Sequence, residues 1–332
     1  STRGDDRSRA IVMMVAAAKT KPPALLDLVR EDLRSFAGYA SARTHAVTGE
    51  IWLNANESPW VNHADGAGDV RYPQSQPSAL RARLAGMYGV REDRLLIGRG
   101  SDEAIDLLVR ALCRAGRDAV AIAPPVFGMY AVCARLQAAP LIEVPMIESA
   151  EDWRTDLAAM REVAIERGAK IVFLCSPGNP TGEAIRIDAI RETAQALAGR
   201  AVVVVDEAYR EFADPALGDP VADLVPHHRN VVVLRTFSKA YGLAGLRLGY
   251  AVGDPELIVD VDKLLLPFST NSLVQAAALA AIEHFDEIQP RLDLLVAERH
   301  RVVRALTGGG WKLPDAQANF VFLPLGTRTE EI

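Results

Sequence analysis

AVVVVDEAY at residues 201–209 and VVVLRTFSKAYGLAGLRLGY at residues 231–250 decide how this chain folds. Each opens on an unbroken β-branched run and then turns abruptly to charged and hydroxyl-bearing residues. Unbroken apolar runs, without the alternation of a one-sided sheet, mark strands covered on both faces. The same form recurs upstream in LLIGRGSDE (95–103), AVAIAPP (119–125) and IVFLCSPGNPTG (171–182), with helical patterns filling the intervals. Strand and helix alternating in this way predict an α/β domain with a mostly parallel central sheet flanked by helices.

In open sheets of this class, ligands bind beyond the carboxyl ends of the strands. Four such ends carry polar residues with no packing reason to be there: Ser101 with Asp102, Asn179, Asp206 with Tyr209, and Ser238 with Lys239. Asp206 closes an apolar strand, where an ionised carboxylate is costly unless a cation pairs with it. Lys239, read as lying on a strand end, offers an amine nucleophile, and Arg247 a permanent cation suited to phosphate. Asn179 sits in a turn fixed by Pro180 and Gly182. GRGSDE admits two readings: a helix start whose free N–H groups cradle a phosphate, or a serine N-cap and nothing more. The pattern GxxxxGK[ST] is absent, and GLAGLRLG lacks the glycine spacing of a dinucleotide fingerprint.

Composition narrows the partners. The 332 residues are 49% hydrophobic and 24% charged, which excludes disorder and collagen-like repeats. A net charge of -6 with both signs mixed along the chain leaves no footprint for nucleic acid or an anionic membrane. A small molecule or another protein chain remains. Cys113, Cys133 and Cys175 lie in apolar surroundings and read as buried thiols of a reducing compartment. No Cys/His spacing suggests a metal, and no apolar run reaches the ~20 residues that span a bilayer. IVMMVAAA at 11–18 follows Arg3, Arg7 and Arg9, but the run is short and Asp5 and Asp6 spoil a signal peptide's basic region. Residues 1–23 are therefore expected to be a disordered tail.

Outside the alternating region the rhythm changes. Residues 24–36 (ALLDLVREDLRSF) carry helical spacing, IWLNANESPW (51–60) reads as a short strand entering a polar loop, and RYPQSQP (71–77) as a turn. Residues 272–283 and 291–306 read as long helices, and ANFVFLPL (318–325) as a return to strand. His227 and His228 read as solvated surface. This organisation implies a large domain at 61–270 and a smaller α/β domain built from both chain ends, 24–60 and 271–332.

GSDE, SPGNPTG, DEAY and SKAYGLAGLRLGY, in this order and at these spacings, resemble the fold-type I pyridoxal-phosphate aminotransferases. GYASAR, WLNANES, RYPQSQP, GRGSDEAIDLLVRAL and PPVFGMY are similar in particular to the histidinol-phosphate aminotransferase branch. ANFVFLPLG and LPFSTNSLVQAAALA also resemble the related aromatic amino-acid aminotransferases. The similarity runs from about Leu28 to the C-terminus.

The resemblance implies the cofactor pyridoxal 5'-phosphate, with Lys239 forming the Schiff base and moving the substrate proton. It implies Asp206 on the pyridine nitrogen, Asn179 and Tyr209 on the ring oxygen, and Ser101, Asp102, Ser238 and Arg247 around the phosphate, with Thr236 a further candidate. Phe127 would stack on the ring, or else is ordinary core. Tyr72 resembles the tyrosine that reaches across a homodimer to the neighbour's phosphate. Tyr39 and Asn56 look like substrate-side residues, or loop residues packing a domain seam. The implied activity is cytoplasmic: transamination between histidinol phosphate and 2-oxoglutarate. The rivals are a phenylalanine-type aminotransferase, a phosphothreonine decarboxylase of the same fold, and a non-catalytic cofactor-binding module. The family pattern continues past ANFVFLPL with a helix, a strand and a carboxylate-binding arginine, so the natural protein is expected to extend beyond Ile332.

Overall fold

The computed structural model describes residues 24–39, 55–61, 70–149 and 153–325. The expected tail at 1–23, the start of the strand in IWLNANES and the segment after residue 325 lie outside them. Seven strands of the described residues form one sheet: β1 (Leu95–Gly98), β2 (Ala119–Ile122), β3 (Leu141–Glu143), β4 (Ala169–Cys175), β5 (Val202–Asp206), β6 (Val231–Thr236) and β7 (Gly249–Val252). Their spatial order is β1-β7-β6-β5-β4-β2-β3. β3, β2, β4, β5 and β6 pair in parallel, and β7 runs antiparallel to both β6 and β1.

The unbroken apolar runs have the expected cause, since every residue of β5 and β6 is buried. Val203, Val205 and Val233 face α1 (Ser78–Tyr88), α4 (Leu157–Glu166) and α5 (Ile187–Ala196) through Leu84, Met160 and Ile190. Val202, Val204 and Val232 face α2 (Ser101–Leu112), α3 (Met129–Leu136) and α6 (Pro255–Asp262) through Ile105, Tyr130 and Val261. Helices α7 (Ser272–Glu283) and α8 (Phe285–Gly308) follow without a strand between them. Cys113, Cys133 and Cys175 are free and buried. Among the described residues, no helix is long and apolar enough to cross a membrane.

Some local expectations fail, each for a tertiary reason. Residues 24–36 form a 3-10 turn (Leu25–Leu28) and a single helical turn (Glu31–Arg34), not one helix. The break falls at Val29, buried against the sheet's core, and at Arg30, whose N–H donates to the Ala111 carbonyl of α2 at 2.9 Å. Helix α8 begins six residues before the expected 291 because Phe285 and Ile288 are anchored in a cluster with Tyr209 and Phe212 that carries the helix through Pro290. ANFVFLPL forms no strand. It joins no ladder among the described residues, and its aromatic anchors point elsewhere, Phe320 edge-on to Tyr209 at 5.1 Å and Phe322 edge-on to Trp153 at 5.2 Å. β7 escaped the sequence reading because four residues opening on a glycine leave too short a pattern.

Candidate functional site

The carboxyl ends of β4, β5 and β6 and the first turn of α2 converge on a cavity of about 130 Å³. Ser101, Asp102, Phe127, Asn179, Asp206, Tyr209, Thr236, Ser238, Lys239 and Arg247 all line it, joined by Cys175 and Ala208. Side chains from positions 101 to 247 thus meet in one place because parallel strands end at one edge.

Asp206 is the last residue of β5 and only 2% exposed. Its Oδ2 accepts from the Tyr130 hydroxyl at 2.8 Å and its Oδ1 from the Ala208 N–H at 3.2 Å. Burial pushes this carboxyl up to about 6, against the pull of those two donors. No cation among its described hydrogen-bond partners offsets that cost. Lys239 lies three residues past the end of β6, in the turn and not on the strand as expected. Its Nζ sits 5.5 Å from the centre of the Tyr209 ring. The Tyr209 hydroxyl accepts from Asn179 Nδ2 at 3.4 Å, so these two residues present one polar edge to the cavity. The Cys175 thiol, pushed up to about 12 by burial, stays protonated.

The opposite wall could hold an anion. The cap position of α2 is held by Gly100, with φ +90°, and no side chain caps the helix; Ser101 is its first helical residue and not the N-cap that the sequence allowed. The first-turn N–H groups consequently face the cavity edge, with the positive end of the helix dipole. Arg247 adopts φ +52° and donates to Asp102 Oδ2 at 2.8 Å, which holds a guanidinium beside that turn. A Cβ on Gly249 would stand 2.5 Å from the Ser101 nitrogen, so only glycine lets β7 press the loop this closely.

Three expected residues lie elsewhere. Tyr72, half-exposed, stacks on Phe268 at 4.6 Å and shares a surface groove with Asn56 and Leu273. Tyr39, 69% exposed, lines another groove with Gln74 and Lys263. None of the three reaches the cavity of its own chain. Conversely, Tyr130 escaped the sequence reading. Its place three residues beyond Phe127 in PPVFGMY, on a helix that packs against β2 and β3, does not separate it in sequence from ordinary core.

The donor set fits pyridoxal 5'-phosphate. A buried carboxylate without an internal cation suits a protonated ring nitrogen, an uncapped helix start with an arginine suits a phosphate, and an amine stands between them.

Comparison with known proteins agrees. The family model for aminotransferase class I and II matches residues 39–331. The histidinol-phosphate aminotransferase of Stenotrophomonas maltophilia (strain R551-3) is 52% identical over 287 residues, covering 86% of this chain and 78% of that protein. The crystal structure of histidinol-phosphate aminotransferase from Sinorhizobium meliloti in complex with pyridoxal-5'-phosphate superposes with a TM-score of 0.70 at 28% identity, covering 76% of this chain and 67% of that one. L-threonine-O-3-phosphate decarboxylase from Porphyromonas gingivalis gives a TM-score of 0.66 at 23% identity, covering 79% of this chain and 76% of that one; this likeness concerns the fold alone.

Proposed function

The chain belongs to the class I and II aminotransferase family, and from that premise we propose that it transfers the amino group of histidinol phosphate to 2-oxoglutarate. The products are imidazole-acetol phosphate and glutamate, a step of histidine biosynthesis in the cytoplasm. The carrying observation is the cavity that joins Lys239, Asp206 and the uncapped start of α2. The 52% identity to a histidinol-phosphate aminotransferase supports the substrate.

Pyridoxal 5'-phosphate, when bound, supplies a carbonyl carbon for the amine and a ring that accepts electrons. The chain's residues do the rest. The first-turn N–H groups of α2 at Ser101 and Asp102, the Ser238 hydroxyl and Arg247 bind the phosphate. Thr236 supports that wall, its Oγ1 accepting from the Ser238 N–H at 3.1 Å. Asp206 holds a proton at the ring nitrogen and thereby gains the cation that its burial lacks. Asn179 and Tyr209 hold the ring oxygen, and Phe127 covers one face and excludes water. Lys239 Nζ would take the proton from the substrate's Cα and deliver it to the cofactor's C4' carbon in one half reaction, and carry it the opposite way in the other.

Tyr72 we assign to a second copy's site, with the protein acting as a homodimer. The exposed groove that Tyr72 shares with Leu273, outside its own cavity, supports this. Tyr39 and Asn56 belong to the substrate side in that assembly. The division into a large domain (61–270) and a smaller one (24–60 with 271–332) is part of the same proposal.

Steady-state kinetics test the assignment. Histidinol phosphate with 2-oxoglutarate should be preferred over phenylalanine as amino donor, and Lys239→Ala should abolish both turnover and the visible absorbance of the loaded protein. A large preference for phenylalanine would overturn the substrate. Carbon dioxide release without 2-oxoglutarate consumption would make the protein a decarboxylase, and pyridoxal 5'-phosphate binding without turnover a non-catalytic module.

A further inference from the structure

We propose that Tyr130 is a positioning residue for Asp206, holding its carboxylate ionised and aimed into the cavity through the hydroxyl that it donates to Oδ2. The proposal deepens the functional reading above and rests on it. Tyr130 is fully buried, and its hydroxyl lies 2.8 Å from Asp206 Oδ2. Its ring is clamped: it stacks on Phe173 of β4 at 4.5 Å with 3° between the planes, and Phe127 meets it edge-on at 5.7 Å. A ring clamped in this way fixes the hydroxyl oxygen beside Asp206 Oδ2, so its position is set by packing.

The arrangement also ties the two ring-facing groups together. Phe127, which lines the cavity, and Asp206, which floors it, both rest on the same tyrosine. Other groups near the carboxylate offer less. Cys175 at the end of β4 is a protonated thiol, and Asp102 at the start of α2 adds like charge that raises Asp206 further. Tyr209 and Lys239 line the cavity, and neither is among the described hydrogen-bond partners of Asp206. Burial alone favours the neutral acid, which could not hold a proton at the ring nitrogen. Donation from Tyr130 works the other way, because it stabilises the ionised form more than the neutral acid.

The test compares wild type, Tyr130→Phe, Asp206→Asn and the double variant as full chains. NMR of 13C-labelled aspartate carboxyls, with the Asp206 signal assigned by its loss in Asp206→Asn, follows the titration before any loading. Tyr130→Phe should raise the Asp206 midpoint by about 1–2 pH units, the value of one hydrogen bond to a charged group. Binding of added pyridoxal 5'-phosphate at pH 7 should weaken about 2–10-fold as the ionised fraction falls. In the Asp206→Asn background the same substitution should change binding no further. An unmoved midpoint, or equal weakening in both backgrounds, overturns the proposal, since a purely structural tyrosine would act without Asp206. Should wild type fail to bind pyridoxal 5'-phosphate, the proposed function falls, while the carboxyl titration still decides the role of Tyr130.

Discussion

Asp206 and Glu207 are chain neighbours on opposite faces of the sheet, both buried, and they are answered differently. On the side of α1, Glu207 Oε2 accepts from Arg235 at 2.7 and 3.0 Å, and the same guanidinium reaches Asp219 at 2.8 Å and the Tyr88 hydroxyl at 3.1 Å. Tyr88 and Tyr250 then share a 2.6 Å hydrogen bond. Burial pushes the Glu207 carboxyl up and Arg235 pulls it back; burial likewise works against the charge of Arg235, and Glu207, Tyr88 and Asp219 hold it above the usual guanidinium range. On the side of α3, Asp206 has a hydroxyl and one backbone N–H. The difference teaches which carboxylate is structural. Glu207 has its cation built in, whereas Asp206 has none among its described hydrogen-bond partners, in keeping with its proposed role toward a cation that enters with a ligand.

Substitutions can break this contrast, beginning with the largest effect. Asp206→Asn should cut turnover by about 10²–10³-fold, the scale for loss of one preorganised electrostatic contact. The same change should stabilise the unloaded protein at pH 8. Because the native carboxyl holds its proton more tightly than the unfolded one, stability falls as pH climbs from 3.8 to about 6. That shift amounts to about 2–3 kcal/mol, and a melting-temperature profile should lose this component in the variant. An unchanged profile would mean that Asp206 is already compensated inside the protein.

Arg235→Met should do the opposite. Removing one partner of a buried ion pair costs about 3–5 kcal/mol, because Glu207 then keeps only the longer 3.9 Å contact to Arg210. Denaturant midpoints would show the loss, and Arg235→Met with Glu207→Leu should recover much of it. Tyr88→Phe, the mildest change, removes one hydroxyl from the network and should cost about 1 kcal/mol. Affinity for pyridoxal 5'-phosphate should be untouched; weakened binding would show that the two faces are coupled.

Much of the candidate site was legible because its residues sit at strand ends, where polar residues break the apolar pattern. Asp206, Asn179 and Ser238 could be picked out as polar residues interrupting apolar runs, and all three line the cavity. Tyr130 could not, since a tyrosine on an apolar helix face looks like core until its hydroxyl is seen to find a carboxylate. The helix expected over 24–36 failed for a related reason: a backbone N–H taken by Ala111 outweighs local periodicity.

The sequence by itself determined the alternation of strand and helix, the burial of both sheet faces and the polar residues at one sheet edge. These follow from neighbours within a few residues, which set backbone propensity and hydrophobic period. Only the tertiary structure decided which charge is answered and which is left open. Tyr130 reaches Asp206 across 76 positions, Arg235 reaches Glu207 across 28, and Arg247 reaches Asp102 across 145. Contacts at such separations leave no periodic trace in the chain, because packing, not local conformation, brings the partners together.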